Sequence, residues 1–238
     1  MVSRKSKKAI IISKFNRRYK HCMEDILNYY ADVATQENDI VKIQLKDIDF
    51  EQMTFSFRHE MVEFEILKPV RYENDKVCKN WGEVESTVVD MCRKAAASKH
   101  LSSICLKKIV YPDGPLDLLL VLGVCLLFLA RYQPDFVYDT LLSKIPYVEK
   151  LRPWNTEMLI ATAIIHIIEM WVCLRPKLTY YRVPIDYQLE WYCCAMLDGY
   201  MSANRLERYV KHIKGRYFNF EDETLSIEAP VVDSDSEL

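Results

Sequence analysis

The chain has 238 residues, half of them hydrophobic, and a formal net charge of −2. That balance excludes the strongly basic footprint of a nucleic-acid binder, so no nucleic-acid partner is expected. A mean hydropathy of −0.12 beside so high an apolar content means that the apolar residues are concentrated in particular stretches. Eight cysteines are scattered without a Cys-x-x-Cys pair or metal-ligand spacing, and a chain of this length needs no disulfide framework. They read as reduced core or membrane residues, and no metal site is expected.

In chain order, the basic start Met1 to Lys8 leads into a helix rather than a cleavable signal. Ile11, Phe15, Cys22, Ile26, Leu27 and Tyr30 recur at helical spacing, which predicts one helix over Ile10 to Val33. Three alternating patterns follow: Val41, Ile43 and Leu45; Met53, Phe55 and Phe57; Val62, Phe64 and Ile66. Period-two alternation with short links predicts an antiparallel three-stranded sheet with one buried face. Val84, Val88, Met91, Cys92 and Ala95 mark a second amphipathic helix over Glu83 to Lys99. Residues 1–100 therefore read as a soluble α+β domain in the order helix, three-stranded antiparallel sheet, helix.

Residues 101–115 form a linker that ends in Tyr111-Pro112-Asp113-Gly114-Pro115. Residues 116–210 read as an α-helical membrane domain. Leu118 to Ala130 carries no charge, and Asp117 and Arg131 bracket it as residues that snorkel toward headgroups. Pro134 to Pro153 is an amphipathic connector, and Met158 to Leu174 is a second span that ends at Arg175-Pro176. Val183 to Met201 is a weaker third span, because it carries Asp186, Glu190 and Asp198. Two or three spans remain open: three is slightly preferred, whereas the basic run Arg205, Arg208, Lys211, Lys214 and Arg216 fits two better, and the conflict stands. Residues 211–238 are a polar, acidic tail, disordered over Asp233 to Leu238.

The first helix, Ile11-Ile12-Ser13-Lys14-Phe15-Asn16-Arg17-Arg18-Tyr19, with Lys46-Asp47-Ile48-Asp49-Phe50 before the second strand, resembles the C-terminal domain of HugZ-type heme-utilisation proteins. The resemblance implies heme handling, yet both signature histidines are replaced, by Lys14 and Tyr19, and His21 is the remaining candidate ligand. His21 and His59 otherwise read as surface or rim residues. His166-Ile167-Ile168-Glu169 followed by Trp191 and Gly199 resembles a small eukaryotic multi-span membrane protein family of unknown function, whose pattern is also similar to Erg28-like endoplasmic-reticulum proteins.

His166 and Glu169 share a helical face inside an apolar run, where ionisable groups need partners. With Glu190 they are the intramembrane polar candidates, read first as an interhelical latch toward Glu190 or Trp191, second as a ligand or lipid-headgroup site and third as a site of metal or proton chemistry. No nucleophile elbow, phosphate-cradling loop or paired carboxylates appear, so no catalytic residue is assigned. The expectation is a non-enzymatic, membrane-anchored binding or scaffold protein of the endoplasmic reticulum, its soluble domain cytosolic. Its partners are the membrane and an unspecified protein, and no cofactor is expected unless heme is retained. A heme-handling protein and an accessory protein of a lipid or sterol pathway are the alternatives.

Overall fold

The computed structural model describes residues 7–34, 40–60, 63–218 and 220, and the chain divides into two compact units. The first comprises Met1–Ser103 together with Ile213–Leu238; the second is Ile104–His212. The expected acidic tail over Asp233 to Leu238 lies outside the described residues.

The first unit is α+β. Helices α1 (Lys7–Arg18) and α2 (Lys20–Ala31) precede strands β1 (Ile40–Ile48), β2 (Gln52–His59) and β3 (Ile66–Arg71), and α3 (Trp81–Ser98) follows. The sheet is antiparallel in the order β1-β2-β3. One face buries Ile43, Leu45, Met53, Phe55, Phe57 and Val70 against α1, α2 and α3. A bulge between Leu45 and Asp47 shifts the alternation by one residue, which is why Ile48 is also buried. Asn80 caps α3 by accepting from the Glu83 N–H at 2.9 Å.

Three expectations change here. The single first helix is two, broken at Tyr19, where φ −114° and ψ 32° leave the helical region. The break lets the Tyr19 ring turn into the core, 1% exposed. The third strand runs from Ile66 through Pro69 to Arg71 rather than from Val62. Phe64 sits in a bend and is exposed, and Val62 lies outside the described residues. Pro69 is accommodated because β3 is an edge strand, where a missing N–H costs no ladder bond. Finally, part of the C-terminal segment belongs to this unit. Tyr19 stacks on Phe218, meets Tyr217 and Phe220 edge-on, and donates its hydroxyl hydrogen to the Tyr217 carbonyl.

The second unit is helical: α4 (Pro115–Tyr132), α5 (Asn155–Glu169), α6 (Arg175–Tyr180), α7 (Ile185–Asp198) and α8 (Tyr200–Lys214). A π turn at Met170–Leu174 joins α5 to α6 without a break. Pro176 lacks the N–H that an α-helical ladder would use there, and the wider turn absorbs the loss. Asn155 donates to the Ala130 carbonyl at 2.9 Å and accepts from the Tyr138 hydroxyl at 2.5 Å, which ties the start of α5 to the end of α4.

Two helices, Pro115–Tyr132 and the continuous run Val148–Tyr180, are long and apolar enough to cross a membrane. Only 11% and 6% of their most apolar windows are buried. Leu119, Leu122, Ile164, Ile168 and Val172 are all more than half exposed. Their apolar faces are thus largely uncovered within the unit, which weakly suggests membrane association.

Candidate functional site

Two groups of polar side chains in the helical unit lie along α7 and α8. The first is their junction. Gly199 ends α7 at φ 58° and ψ −127°, a backbone conformation that only glycine adopts without strain. Two side chains from α5 close around it. His166 Nδ1 donates to the Met196 carbonyl at 2.9 Å, in the last turn of α7. Glu169 Oε2 accepts from the Tyr200 N–H at 2.8 Å, at the first residue of α8. The imidazole thus satisfies a helix C-terminal carbonyl and the carboxylate a helix N-terminal amide, each sign matched to the local dipole. A Cβ on Gly199 would overlap Glu169 Oε2 and lie 3.0 Å from His166 Cδ2.

The geometry therefore corrects the expected partners of the pair. His166 and Glu169 meet the backbone of the α7–α8 turn, not Glu190 or Trp191. Glu190 is exposed and accepts from the Tyr111 hydroxyl at 3.0 Å, a bond that raises the Tyr111 pKa. Trp191 is fully buried, and among the described residues its indole N–H has no acceptor.

The second place centres on Arg205, which is 1% exposed. Its Nη1 bonds Asp198 and lies 3.3 Å from Asp117 Oδ2, its Nη2 donates to Ser202 Oγ at 3.0 Å, and its Nε donates to the Val110 carbonyl at 3.1 Å. Ser202 in turn donates to Asp198 at 2.6 Å. A buried guanidinium needs its charge matched and its nitrogens bonded; here Nε, Nη1 and Nη2 each donate a hydrogen bond, and the carboxylates of Asp198 and Asp117 face the charge. Asp117 was expected to snorkel outward; it is 2% exposed and turned toward Arg205 and Arg208 instead. Arg205, read from sequence as one of a basic run, is separated from the rest of that run by burial. Ser202 and Arg205 share a face of α8, and the turn at Gly199 brings Asp198 at the end of α7 to them, a grouping the charge count alone passes over.

Beside this network a cavity of about 400 Å³ opens between the start of α4 and α8, lined by Gly114, Asp117, Asn204, Glu207, Arg208 and Lys211 among others. Lys177 pairs with Glu207 at 2.7 Å and holds its carboxyl below the usual range.

In the α+β unit, His21 is half-buried with Nε2 3.0 Å from the Ser103 carbonyl and 3.3 Å from Cys22 Sγ. The carbonyl can only accept, so Nε2 carries the hydrogen and offers no lone pair to a metal. Among the described residues, no group of three or more His, Cys, Asp or Glu side chains converges as a metal site.

Residues 114–212 match the family model of the YDR476C-like C-terminal domain. Over 209 residues the chain is 29% identical to the uncharacterized protein YDR476C of Saccharomyces cerevisiae, with 83% of this chain and 93% of that protein covered. The family match starts at Gly114, so it takes in the whole α4-to-α7 region and most of α8. Neither match is to a HugZ-type heme-utilisation protein or to an Erg28-like protein. The resemblances drawn from short motifs are therefore corrected: residues 114–212 are similar to the YDR476C-like C-terminal domain, and the longer alignment is to the uncharacterized protein YDR476C.

Proposed function

We propose that this is a non-enzymatic binding protein anchored in a membrane by two spans, α4 and the helix running from α5 into α6, with its α+β unit on one aqueous side. The observation that carries the reading is the exposure of the apolar faces of those two helices. Water-soluble monomers rarely leave such patches uncovered. In lipid the ten Leu, Val and Phe residues between Leu118 and Ala130 are favourable by about 3–6 kcal/mol together.

The α+β unit supports two spans rather than three. Tyr217, Phe218 and Phe220 pack in the same core as Phe15 and Tyr19, so the chain enters and leaves the helical unit on one side of the bilayer. An even number of crossings follows. Helix α7, with 14 residues, is about 21 Å long and too short for a core of about 30 Å. It lies at the boundary, where Asp186 and Glu190 face water. The basic residues Arg93, Lys94, Lys99, Lys107 and Lys108 before α4 favour the cytosol as the shared aqueous side. The 18-residue α4 is about 27 Å long, which matches the thinner bilayer of the endoplasmic reticulum.

Carbonate extraction and protease protection of protein tagged at both ends test this directly. The expected result is retention in the membrane pellet with both tags digested in sealed microsomes. Release by carbonate, or protection of one tag, would overturn it.

A further inference from the structure

The connector between the two proposed spans, residues 133–154, is folded and yet leaves its larger apolar side chains uncovered. Val137 and Tyr138 pack on Ala130 at the end of α4, with Leu126, Leu142 and Val148 beside them. A π turn over Phe136–Leu141 and a 3-10 turn over Val148–Trp154 shape the backbone. Arg152 joins the two by pairing with Asp135 and Asp139. Outside this small core, Phe136, Leu141, Ile145, Tyr147 and Trp154 are half exposed or more. An ordered lobe that shows this much apolar surface is built to be covered.

Position, depth and charge identify the cover. The Asn155 amide donates to the Ala130 carbonyl at 2.9 Å and accepts from the Tyr138 hydroxyl, so the segment leaves α4 and enters α5 at one place. With α4 and the helix from α5 into α6 as spans, that place is one face of the bilayer, and the lobe is held against it. Trp154 and Trp171, 61% and 58% exposed, stand about 26 Å apart along one continuous helical run, at about 1.5 Å per residue. That is close to the hydrocarbon thickness of a thin bilayer, about 27 Å, so the two rings fall at its two interfaces, where tryptophan is enriched. Arg131 and Lys150 lie over the exposed rings of Tyr132 and Tyr147, 5.8 and 4.9 Å from their centroids. Each pair presents a ring and a cation together, which suits acyl carbons with phosphates directly above them.

We propose that this lobe is an interfacial anchor, seated in the lipid headgroup layer that the chain reaches after α4. It rests on the two-span reading and supplies the partner of a surface which that reading leaves bare. Leu141, Ile145 and Trp154 reach the acyl boundary, and Arg131, Lys144 and Lys150 meet phosphates. The run Val148–Tyr180 has 33 residues, more than the roughly 20 that a span needs. The anchor fixes which of them are immersed.

Bromolipid quenching of the whole chain in phosphatidylcholine nanodiscs tests the seat. Trp154→Phe is the reference, and Ile145→Trp added to it places one reporter at an exposed position that the fold tolerates. The emission added by that reporter should fall with bromines near the acyl carbonyls, fall less with bromines at the chain ends, and resist iodide in the water. Loss to iodide with no loss to bromine at either depth would put the lobe in water and overturn the proposal. Protection from both quenchers would give the surface to a second copy of the chain, and would overturn it equally. The reference keeps the two readings apart, because its Trp171 lies in a proposed span and should be quenched by bromolipid. A quenched reference with a reporter open to water refutes the anchor alone. A reference that no bromolipid quenches overturns the anchor and the two-span reading together.

Discussion

Gly199→Ala tests whether the α7–α8 turn is held by its backbone conformation and by the two side chains from α5. An alanine at φ 58° and ψ −127° sits in a region essentially reserved for glycine, which costs about 1–3 kcal/mol. The added Cβ also overlaps Glu169 Oε2 and crowds His166 Cδ2 at 3.0 Å. Glu169 must then leave the Tyr200 N–H, a charge-assisted hydrogen bond worth about 1.5–3 kcal/mol. Glu169 is half-buried and Tyr200 exposed, so solvent repays part of that loss, and roughly 2–4 kcal/mol in all is expected. For a chain of this size that lowers the unfolding midpoint by roughly 5–15 °C. Thermal unfolding of the detergent-solubilised protein reads the shift. The diagnostic is the double variant: Glu169→Ala removes the overlap but not the backbone strain, so Gly199→Ala with Glu169→Ala should be less destabilised than the two single changes summed. An unchanged midpoint for Gly199→Ala, or strict additivity, would refute the argument.

Phe220→Ala should destabilise the α+β unit by about 3–5 kcal/mol, because a buried aromatic leaves the cluster around Tyr19; limited proteolysis should then cleave residues 7–100 faster. Arg205→Ala leaves the carboxylates of Asp117 and Asp198 buried without their shared cation, and a loss of about 3–5 kcal/mol is expected in the thermal unfolding of the helical unit. Raising the pH should unfold the α+β unit. Burial lifts the pKa of Tyr19 and Tyr72 well above 10, and burial with the nearby Glu73 charge pushes Tyr30 up to about 12. Between pH 10 and each raised value the folded form holds protons that the unfolded form has lost, so stability falls as pH rises through that window. Absorbance at 295 nm should show these three tyrosines ionising late and together with the loss of tertiary signal; their titration with the bulk tyrosines would count against the packing described.

Periodicity alone is enough to place α3 and the first two strands. Phe55 and Met53 alternate because a strand turns successive side chains to opposite faces, and no distant contact is needed to see it. The apolar stretches from Leu118 and from Met158 were equally plain, since uninterrupted apolar composition is visible in consecutive residues. The break at Tyr19 was not. No glycine or proline marks it, and the energy that favours it comes from Tyr217, Phe218 and Phe220, about 200 residues away. The bulge after Leu45 and the edge position of Pro69 were hidden for the same reason, as both depend on which neighbour a strand acquires.

Among the polar candidates, spacing put His166 and Glu169 on one face and gave no way to name what they meet. Main-chain amides and carbonyls are identical along a sequence, so a side chain that bonds backbone leaves no complementary residue to find. Arg205 makes the same point in reverse: as a letter it joins four other basic residues, and burial alone separates it from them. What the sequence determined by itself is where apolar surface is concentrated and with what period, because those are properties of consecutive residues. Tertiary structure decided which ends of the chain share a core, which charges are withdrawn from solvent and where a turn needs glycine, because each of those is an energy between groups the sequence keeps apart.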